Sequence, residues 1–467
     1  MRSMWWLAAG IALVWGGSAL AAPKPNVILI VADDLGYGEL GCYGQSKIQT
    51  PHLDRMAAEG LRFTQFYSGS PVCAPSRCCL MTGKHGGHAW IRDNRSVGKE
   101  GQAPVPTSEV MLPELLKREG YATGAMGKWG LGPPGSESDP VKRGFDLFFG
   151  YNCQAHAHYY YPKYLWRNTA RVEYPDNQIR TGKQHSHDLF EQEALAFVEK
   201  QRDRPFFLFL PLTLPHLALQ AEPSWLKPYL AKKWEDPAYD GKKGYSPHPT
   251  PRAAYAAMIT RLDQTVGRLR EKLHELDLDK NTLVLFTSDN GATHDVGGVD
   301  TNFFQSVGKL RGRKGSVYEG GLRVPLLACW PGTIAPGKVS EHVAYFPDLL
   351  PTLMDVVGAS SRIPPGVDGI SFLPTLRGKT QPAHAQLVWE FQGYGGQQAV
   401  RVGEWKGVRR GLMKGPVALE LYNLREDPEE SRNVAADHPE MVRKLEAVLT
   451  AQHTPSRLFP LKGLSPR

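Results

Sequence analysis

The chain has 467 residues, of which 41% are hydrophobic and 22% are charged. This composition excludes a largely disordered chain, because enough apolar side chains are present to form a sizeable core. The formal net charge is +8 and the sequence pI is about 9.0, so the surface is expected to attract anionic partners. No arginine-rich tract or nucleic-acid-binding motif accompanies this charge, and we therefore predict no nucleic-acid partner.

The N-terminal residues have the pattern of a secretory signal peptide. Arg2 precedes an apolar stretch from Trp5 to Val14, and small residues follow up to Ala21. This order predicts that residues 1–21 are removed during export. The alternative is an uncleaved membrane anchor, but two adjacent glycines make the apolar stretch short for a span. We expect a secreted or periplasmic protein that is not membrane-embedded after cleavage.

Apolar segments alternate with helix-period segments along the mature chain. Residues 26–32, 205–210 and 282–287 are predicted buried strands, and residues 111–119 and 255–276 are predicted helices. This alternation predicts an α/β fold with a mostly parallel central sheet. In such sheets ligands collect beyond the carboxyl ends of the strands, where this sequence places acidic, amide and histidine residues.

The pattern changes near Pro382. A closing amphipathic helix is predicted over residues 439–452, after four short glycine-punctuated strands at 387–391, 399–402, 406–408 and 419–422. We therefore predict a large domain of residues 22–381 and a small α+β domain with an antiparallel sheet, residues 382–467. Two long stretches, residues 130–176 and 221–250, are predicted to be irregular functional loops.

One motif centres on Cys73. A Cys-Ala-Pro-Ser-Arg string runs from Cys73 to Arg77, and Thr82-Gly83 follows. Pro75 favours the first turn of a helix, which would place Cys73 near a helix N-terminus that favours an anion. The six cysteines are otherwise scattered, so neither a disulfide framework nor zinc-finger spacing is predicted. The alternative is a buried cysteine that merely opens a helix.

Oxygen-bearing side chains follow two of the predicted strands. Asp33 and Asp34 come directly after the first strand, and Asp289 and Asn290 follow the strand at 282–287. Such hard ligands suit calcium, or magnesium with more bound water. The alternative is a pair of ordinary turns, because Asp and Asn are common there.

Four basic side chains lie in distinctive local sequences. Arg77 lies one helical turn after Cys73, and Lys128 lies in a Gly-Lys-Trp-Gly-Leu-Gly string. Lys314 lies in Gly-Arg-Lys-Gly, and His216 follows a proline. Each of these residues alone is more typical of a surface or structural role.

These motifs together resemble the type I, formylglycine-dependent sulfatases of the alkaline-phosphatase-like superfamily. The resemblance extends to the segment from Glu420 to Pro428. It implies an alkaline-phosphatase-like large domain and a sulfuric ester hydrolase of the arylsulfatase type. It also implies that a formylglycine-generating enzyme oxidises Cys73 during maturation. The metal ligands that it implies are Asp33, Asp34, Asp289, Asn290 and the modified Cys73.

The resemblance also assigns roles to the basic residues. It implies that Arg77 orders the aldehyde hydrate, that Lys128 and Lys314 grip the sulfate, and that Lys314 with His216 assists the departing alcohol. A hydrated aldehyde suits this reaction because it carries two hydroxyls on one carbon. One hydroxyl can attack sulfur and the other can then expel sulfate, whereas serine would be trapped as a stable sulfate ester.

One position departs from the family pattern. Many members have a histidine where this chain has Gly130, and that histidine takes a proton from the second hydroxyl. His156 and His158 lie on a nearby loop, and they would share one side if this piece were extended. We predict that one of the two, not both, takes over this task. The alternative is an aromatic sugar-binding loop with incidental histidines.

The predicted substrate is a sulfate ester, and a sulfated carbohydrate fits the basic surface better than a small aryl sulfate does. The aromatic stretch from Tyr159 to Trp166 is predicted to stack on sugar rings. Two other functions stay open at this point. One is a phosphatase or phosphonate hydrolase of the same superfamily, and the other is an inactive, secreted glycan-binding homologue.

Overall fold

The computed structural model describes residues 24–98 and 100–464. The predicted signal peptide, residues 1–21, lies outside the described residues. Within the part of the chain that the structure describes, no helix has the length and apolar character needed to cross a membrane.

A mixed sheet of eleven strands forms the centre of the large domain, which confirms the α/β prediction. Its spatial order is β10-β2-β9-β8-β1-β7-β3-β4-β5-β6, and β11 also pairs with β2. In chain order the strands are β1 (Asn26–Ala32), β2 (Leu61–Tyr67), β3 (Ala122–Lys128), β4 (Leu147–Tyr151), β5 (Tyr164–Arg167), β6 (Ala170–Glu173), β7 (Phe206–Pro211), β8 (Thr282–Ser288), β9 (Arg323–Cys329), β10 (Lys338–Ser340) and β11 (Ala344–Tyr345). The central strands β8, β1, β7, β3 and β4 run parallel to their neighbours in this group, whereas β9 and β5 pair antiparallel.

Helices cover both faces of this sheet. On one face lie α2, α3 and α9, and on the other lie α1, α4 and α6. In chain order the helices are α1 (Pro51–Glu59), α2 (Cys73–Thr82), α3 (Leu112–Arg118), α4 (Ser186–Lys200), α5 (Pro223–Leu230), α6 (Pro251–Glu275), α7 (Thr301–Phe304), α8 (Glu319–Leu322), α9 (Leu349–Val356), α10 (Leu373–Leu376) and α11 (Pro439–Ala451).

Strand β1 shows why the apolar run at 26–32 forms a central strand. Val27 and Leu29 pack into the hydrophobic core on one face, and Ile28 and Ile30 pack into the core on the other. Successive side chains of a strand point to opposite faces, so a strand covered on both sides is apolar at nearly every position. Each fully buried aliphatic side chain of this kind contributes about 1.5–3 kcal/mol.

The small domain is a four-stranded antiparallel sheet with one helix, as predicted. Its strands are β12 (Leu387–Phe391), β13 (Gln397–Val402), β14 (Trp405–Arg410) and β15 (Glu420–Asn423). One face packs on Leu445 and Leu449 of α11. The other face presents Trp389, which packs on Tyr67 of β2, so the small sheet is anchored to the large one.

Two stretches that were predicted to be irregular contain regular structure. Residues 130–176 include β4, β5, β6 and a 3-10 turn at His156–His158. Residues 221–250 include α5, an eight-residue helix that contains Pro228. Strands β4, β5 and β6 are only four or five residues long, and α5 contains an internal proline, so their local periodicity is weak and tertiary packing decides their conformation.

Candidate active site

The carboxyl ends of β1 and β8 bring the predicted metal ligands together. The two strands pair in parallel with Ala32 beside Ser288, so the residues that follow each strand become neighbours. The Asp34 backbone N–H donates to Asp289 Oδ1 at 3.2 Å. Strand β7 pairs with β1 on its other side, and the chain beyond it places His216 Nε2 3.5 Å from Asp34 Oδ2.

Cys73 is the first residue of α2 and is buried beside these carboxylates. Its Sγ lies 3.3 Å from Asp33 Oδ1 and 3.5 Å from Lys314 Nζ. Burial and the charge of Asp33 raise the pKa of the Cys73 thiol well above its ordinary value, so the thiol is protonated at neutral pH. An unmodified Cys73 is therefore a poor nucleophile here, because the thiolate is the reactive form.

Each of the three carboxylates has a cationic partner. Lys128 Nζ donates to Asp33 at 2.7 Å, and Lys314 Nζ donates to Asp34 at 2.7 Å. The Arg77 guanidinium donates through Nε and Nη2 to Oδ2 of Asp289, at 3.1 and 2.8 Å. The structure thus brings together Arg77, Lys128, Lys314 and His216 around Cys73, from four different segments of the chain.

The cations decide the charge state of two carboxylates. Burial alone would raise the pKa of Asp33, but Lys128, with His216 and Arg77, holds it well below its ordinary value. Lys314 lowers the pKa of Asp34 in the same way against the effect of burial. Burial and the like charge of Asp33 raise the pKa of Asp289 to about 6 despite Arg77. Three carboxylates this close repel one another when all are ionised, so a bound cation would stabilise their ionised forms.

The residues fit a divalent cation. Asn290 Nδ2 donates to Asp34 Oδ1 at 2.8 Å, and this leaves Asn290 Oδ1 buried without a hydrogen-bond partner among residues 24–98 and 100–464. Ligand atoms of Asp33, Asp34, Cys73 and His216 lie within 4.8 Å of one another. A buried, unpartnered oxygen beside buried carboxylates is the donor set that a hard cation requires.

The two loop histidines point to different places. His158 stacks on His216, with ring centroids 4.8 Å apart and an interplanar angle of 15°. His156 packs against Tyr151 and lies 3.7 Å from Glu100. The expectation of an extended piece is wrong, because residues 156–158 form a 3-10 turn. With three residues per turn, positions two apart face different directions.

Burial keeps both site histidines neutral. Burial, reinforced by the cations Lys314 and Lys128 against the acidic Asp33 and Asp34, lowers the pKa of His216 to about 4. Burial and the neighbouring His216 lower the pKa of His158 to about 2. His216 Nδ1 donates to the Leu217 carbonyl at 2.5 Å, so in the neutral ring Nε2 is left as an acceptor towards the site.

Two further polar residues reach the site that the sequence did not single out. Asn94 Oδ1 accepts from the Ala74 N–H at the start of α2, at 2.9 Å. The Gln154 side chain lies against Gly130, where a Cβ would collide with its Nε2. Both follow segments without a distinctive motif. Gln154 could have been found only from its position just after β4, and the sequence did not predict that strand.

Comparison with known proteins agrees with this geometry. The family model described as Sulfatase matches residues 25–359. The chain belongs to the sulfatase family. Its activity is therefore sulfuric ester hydrolysis. A second model, described as N-sulphoglucosamine sulphohydrolase, C-terminal, matches residues 313–454.

This sulfatase is similar to both curated and structurally known relatives. Human N-acetylgalactosamine-6-sulfatase is 36% identical over 383 residues, which cover 77% of this chain and 67% of that protein. Mouse steryl-sulfatase is 31% identical over 444 residues, which cover 79% and 68%. The crystal structure of Ps i-CgsB in complex with k-i-k-neocarrahexaose has a TM-score of 0.78 and 29% identity, with 92% of each chain covered.

The mouth of the sulfatase site carries an exposed aromatic side chain. Tyr394, between β12 and β13, is 63% exposed and stacks on His294, with ring centroids 5.6 Å apart. Its ring also lies against Gly315, next to Lys314. The aromatic stretch from Tyr159 to Trp166 does not offer such a free face at Tyr164 and Trp166, because the guanidinium of Arg171 lies over both rings.

All six cysteines of the sulfatase lie in the described part of the chain and carry free thiols. Cys78 and Cys79 follow Cys73 on α2 and are buried. Burial raises the pKa of Cys78 to about 11 and that of Cys79 well above its ordinary value. They pack in the core between α2 and its neighbours.

Proposed function

We propose that this sulfatase hydrolyses sulfate esters of carbohydrates, with formylglycine made from Cys73 and with a divalent cation. The observation that carries the proposal is the position of Cys73. It opens a helix, and its Sγ lies 3.3 Å from Asp33 and 3.5 Å from Lys314. A side chain at a helix N-terminus and beside a lysine can receive an anionic ester.

The cation is calcium, or magnesium, held by Asp33, Asp34, Asp289, Asn290 and the modified Cys73. The unpartnered Asn290 Oδ1 and the raised pKa of Asp289 support this set, and oxygen donors favour hard cations. His216 also lies within the cluster, but we assign it to the substrate and not to the metal. When bound, the cation polarises an oxygen of the sulfate and assists ionisation of the nucleophile.

The modification at Cys73 is supported by the Cys-Ala-Pro-Ser-Arg string that begins at Cys73 and by the position of the residue beside Asp33 and Lys314. Burial and Asp33 disfavour the thiolate, so the unmodified side chain cannot serve as a strong nucleophile. Formylglycine, when present, supplies a hydrated carbonyl whose second hydroxyl allows sulfate to be released. A formylglycine-generating enzyme is the partner that this maturation requires.

The chain's own side chains then bind and orient the ester. Lys128 and Lys314 are placed to hold sulfate oxygens, because their ammonium groups flank Cys73 and are kept protonated by Asp33 and Asp34. Arg77 fixes Asp289 through two donors to one carboxylate oxygen and so preorganises the site. His216, with Lys314, assists the departing alcohol.

The carbohydrate class is supported by the mouth of the site. Tyr394 offers an exposed aromatic face that lies against Gly315, the residue after Lys314, and aromatic faces stack on sugar rings. The net charge of +8 suits a polyanionic glycan. A relative named for N-acetylgalactosamine 6-sulfate and a structural neighbour bound to a neocarrahexaose point to the same class.

Export and domain boundaries form part of the proposal. Removal of residues 1–21 would deliver a mature secreted or periplasmic enzyme with a large domain of residues 22–381 and a small domain of residues 382–467. The described fold is compatible with this division, since the second sheet begins at Leu387. The intact mass of the exported protein tests the cleavage site.

The nucleophile is tested by substitution combined with peptide mass. In a host whose modifying enzyme accepts only cysteine, Cys73→Ala and Cys73→Ser should each reduce steady-state sulfate release by about a thousandfold or more, because alanine has no hydroxyl to attack sulfur and a single serine hydroxyl cannot expel sulfate. The parent's Cys73 peptide should have the mass of formylglycine. Near-normal turnover by protein confirmed to carry serine would refute the mechanism.

The substrate class is tested by comparing turnover of an aryl sulfate, an aryl phosphate and a sulfated oligosaccharide. Hydrolysis of both sulfates and a faster reaction with the oligosaccharide would support the proposal. Preference for the phosphate would favour a phosphatase or phosphonate hydrolase. No turnover by protein that carries formylglycine and metal would favour a glycan-binding homologue.

A further inference from the structure

Two buried amide side chains next to Gly130 have no hydrogen-bond partner. Asn152 is fully buried and Gln154 is 5% exposed. All four of their amide nitrogen and oxygen atoms lack a partner in the described part of the chain. A buried polar atom without a partner costs about 1–3 kcal/mol, so side chains of this kind mark a place where a ligand or water completes the bonding.

The backbone directs these amides towards the catalytic edge of the sheet. They follow β4, which pairs in parallel with β3, the strand that ends at Lys128. The Gly130 N–H donates to the Asn152 carbonyl at 3.1 Å, so the two segments run side by side beyond the sheet. This is the edge at which ligands of parallel sheets bind.

Gly130 makes room for Gln154. The backbone of Gly130 has φ = +75°, and a Cβ there would collide with Gln154 Nε2. The same Cβ position is 3.8 Å from Cδ of Arg77, whose guanidinium binds Asp289 and the Lys128 carbonyl. The donor end of Gln154 therefore lies next to Arg77, on the side of the site that carries Lys128.

We propose that Gln154 is a substrate-binding residue, whose amide Nε2 donates a hydrogen bond to an oxygen of the sulfate group. This inference rests on the proposed function. A sulfate ester carries one negative charge and several acceptor oxygens, so a neutral amide donor adds binding without adding charge. It also does not titrate, so its contribution is independent of pH across the working range.

The first test compares Gln154→Met with the parent enzyme. The substitution keeps the length of the side chain and removes its hydrogen bonds. We expect kcat/KM for an aryl sulfate to fall by about tenfold to a hundredfold, the range for a lost hydrogen bond to a charged group. Gln154→Glu should lose more, because a carboxylate would repel the sulfate.

The second readout is binding of inorganic sulfate, measured as the sulfate-dependent rise in Tm of protein that retains unmodified Cys73. The parent should be stabilised by sulfate, and Gln154→Met should need about tenfold or more sulfate for the same rise. Without sulfate, Gln154→Met should melt at or above the parent's Tm, because an unsatisfied buried amide has been replaced by an apolar side chain.

Gln220 provides the matched control. It is also buried, but its Oε1 accepts from the Tyr160 N–H, and its Nε2 donates to the carbonyls of Ile179 and Arg180. Gln220→Met should therefore lower Tm and leave the sulfate concentration for half-maximal stabilisation unchanged. A structural role for Gln154 would make its Met variant behave in the same way.

The outcomes separate this inference from the proposed function. If the parent turns over sulfate esters and is stabilised by sulfate, and Gln154→Met matches it in both respects, the role of Gln154 is refuted and the sulfatase mechanism stands. If the parent itself neither turns over sulfate esters nor responds to sulfate, the proposed function has failed.

Discussion

Two buried clusters of charged residues in this sulfatase have opposite purposes. The first, the catalytic cluster, consists of Asp33, Asp34 and Asp289 with Arg77, Lys128 and Lys314. The second, the Lys406 cluster, consists of Lys406, Glu319, Glu430, Arg401 and Tyr67, and it joins the small sheet to the large domain. Burial and charge alone do not distinguish the two.

In the Lys406 cluster the groups bind one another. Lys406 Nζ lies 2.8 Å from Glu319 and 2.9 Å from Glu430. Tyr67 donates to the other oxygen of Glu319 at 2.7 Å, and Arg401 donates to the Tyr67 hydroxyl at 2.6 Å. Burial, with Lys406 opposing it, raises the pKa of Glu430 to about 7, whereas Lys406 and Arg323 outweigh burial and lower the pKa of Glu319.

The catalytic cluster leaves binding capacity free. Asn290 Oδ1 and the Gln154 amide have no partner among the described residues, and the Cys73 thiol lies between Asp33 and Lys314. Asp34 also has a backbone φ of +66°, a conformation that costs of order 1 kcal/mol and concentrates at functional sites. The catalytic cluster thus keeps amide positions free for a ligand, whereas the charged groups of the Lys406 cluster are paired with one another.

The largest effect is expected when the catalytic cluster loses a metal ligand. Asp33→Ala, Asp34→Ala, Asp289→Ala and Asn290→Ala should each lower turnover by about a thousandfold, because a bound cation supplies several kcal/mol of transition-state stabilisation. Elemental analysis should show less calcium or magnesium in each variant.

His88→Ala provides the control for the metal measurement. His85, His88 and Asp368 form another group that could hold a metal, away from the catalytic cluster. Its disruption should leave metal content and turnover at the parent's values. Fully active parent enzyme with less than about a tenth of an equivalent of divalent cation would contradict the metal site.

A paired substitution sharpens the contrast between the clusters. Lys406→Met should lower the free energy of unfolding by about 3–5 kcal/mol, since it leaves buried carboxylates without their counter-charge. Lys314→Met should lower it by less, about 1 kcal/mol, when calcium remains to compensate Asp34, but it should slow turnover by about a hundredfold. Urea unfolding with calcium present measures the first quantity, and similar losses of stability in both variants would show that the clusters do not differ in this way.

A smaller effect separates the two loop histidines. His158→Ala should slow steady-state turnover by about tenfold, because His158 stacks on His216 and orients the ring that assists the departing alcohol. His156→Ala should turn over at about the parent rate, and a slower His156 variant with a normal His158 variant would reverse the assignment.

The sequence by itself determined the elements whose pattern is local and strong. The apolar run that forms β1 and the short strands of the small domain were predicted within a few residues. Burial on both faces makes a strand apolar throughout, and burial on one face makes apolar and polar residues alternate, so both patterns are visible in the sequence. The carboxyl-end positions of Asp33, Asp34, Asp289 and Asn290 followed from the same runs, and the family followed from the Cys73 motif.

The tertiary structure decided which polar residues meet. No local pattern distinguishes His158, which reaches His216, from His156, which lies near Glu100. The two side chains point in different directions because a 3-10 turn forms there, and the sequence did not predict that turn. The same holds for Gln154, which depends on the pairing of β3 with β4, and for Glu319, which binds Lys406 of the small sheet. Contacts between residues far apart in the chain depend on how sheets and loops pack, and that information is not contained in the periodicity of any single segment.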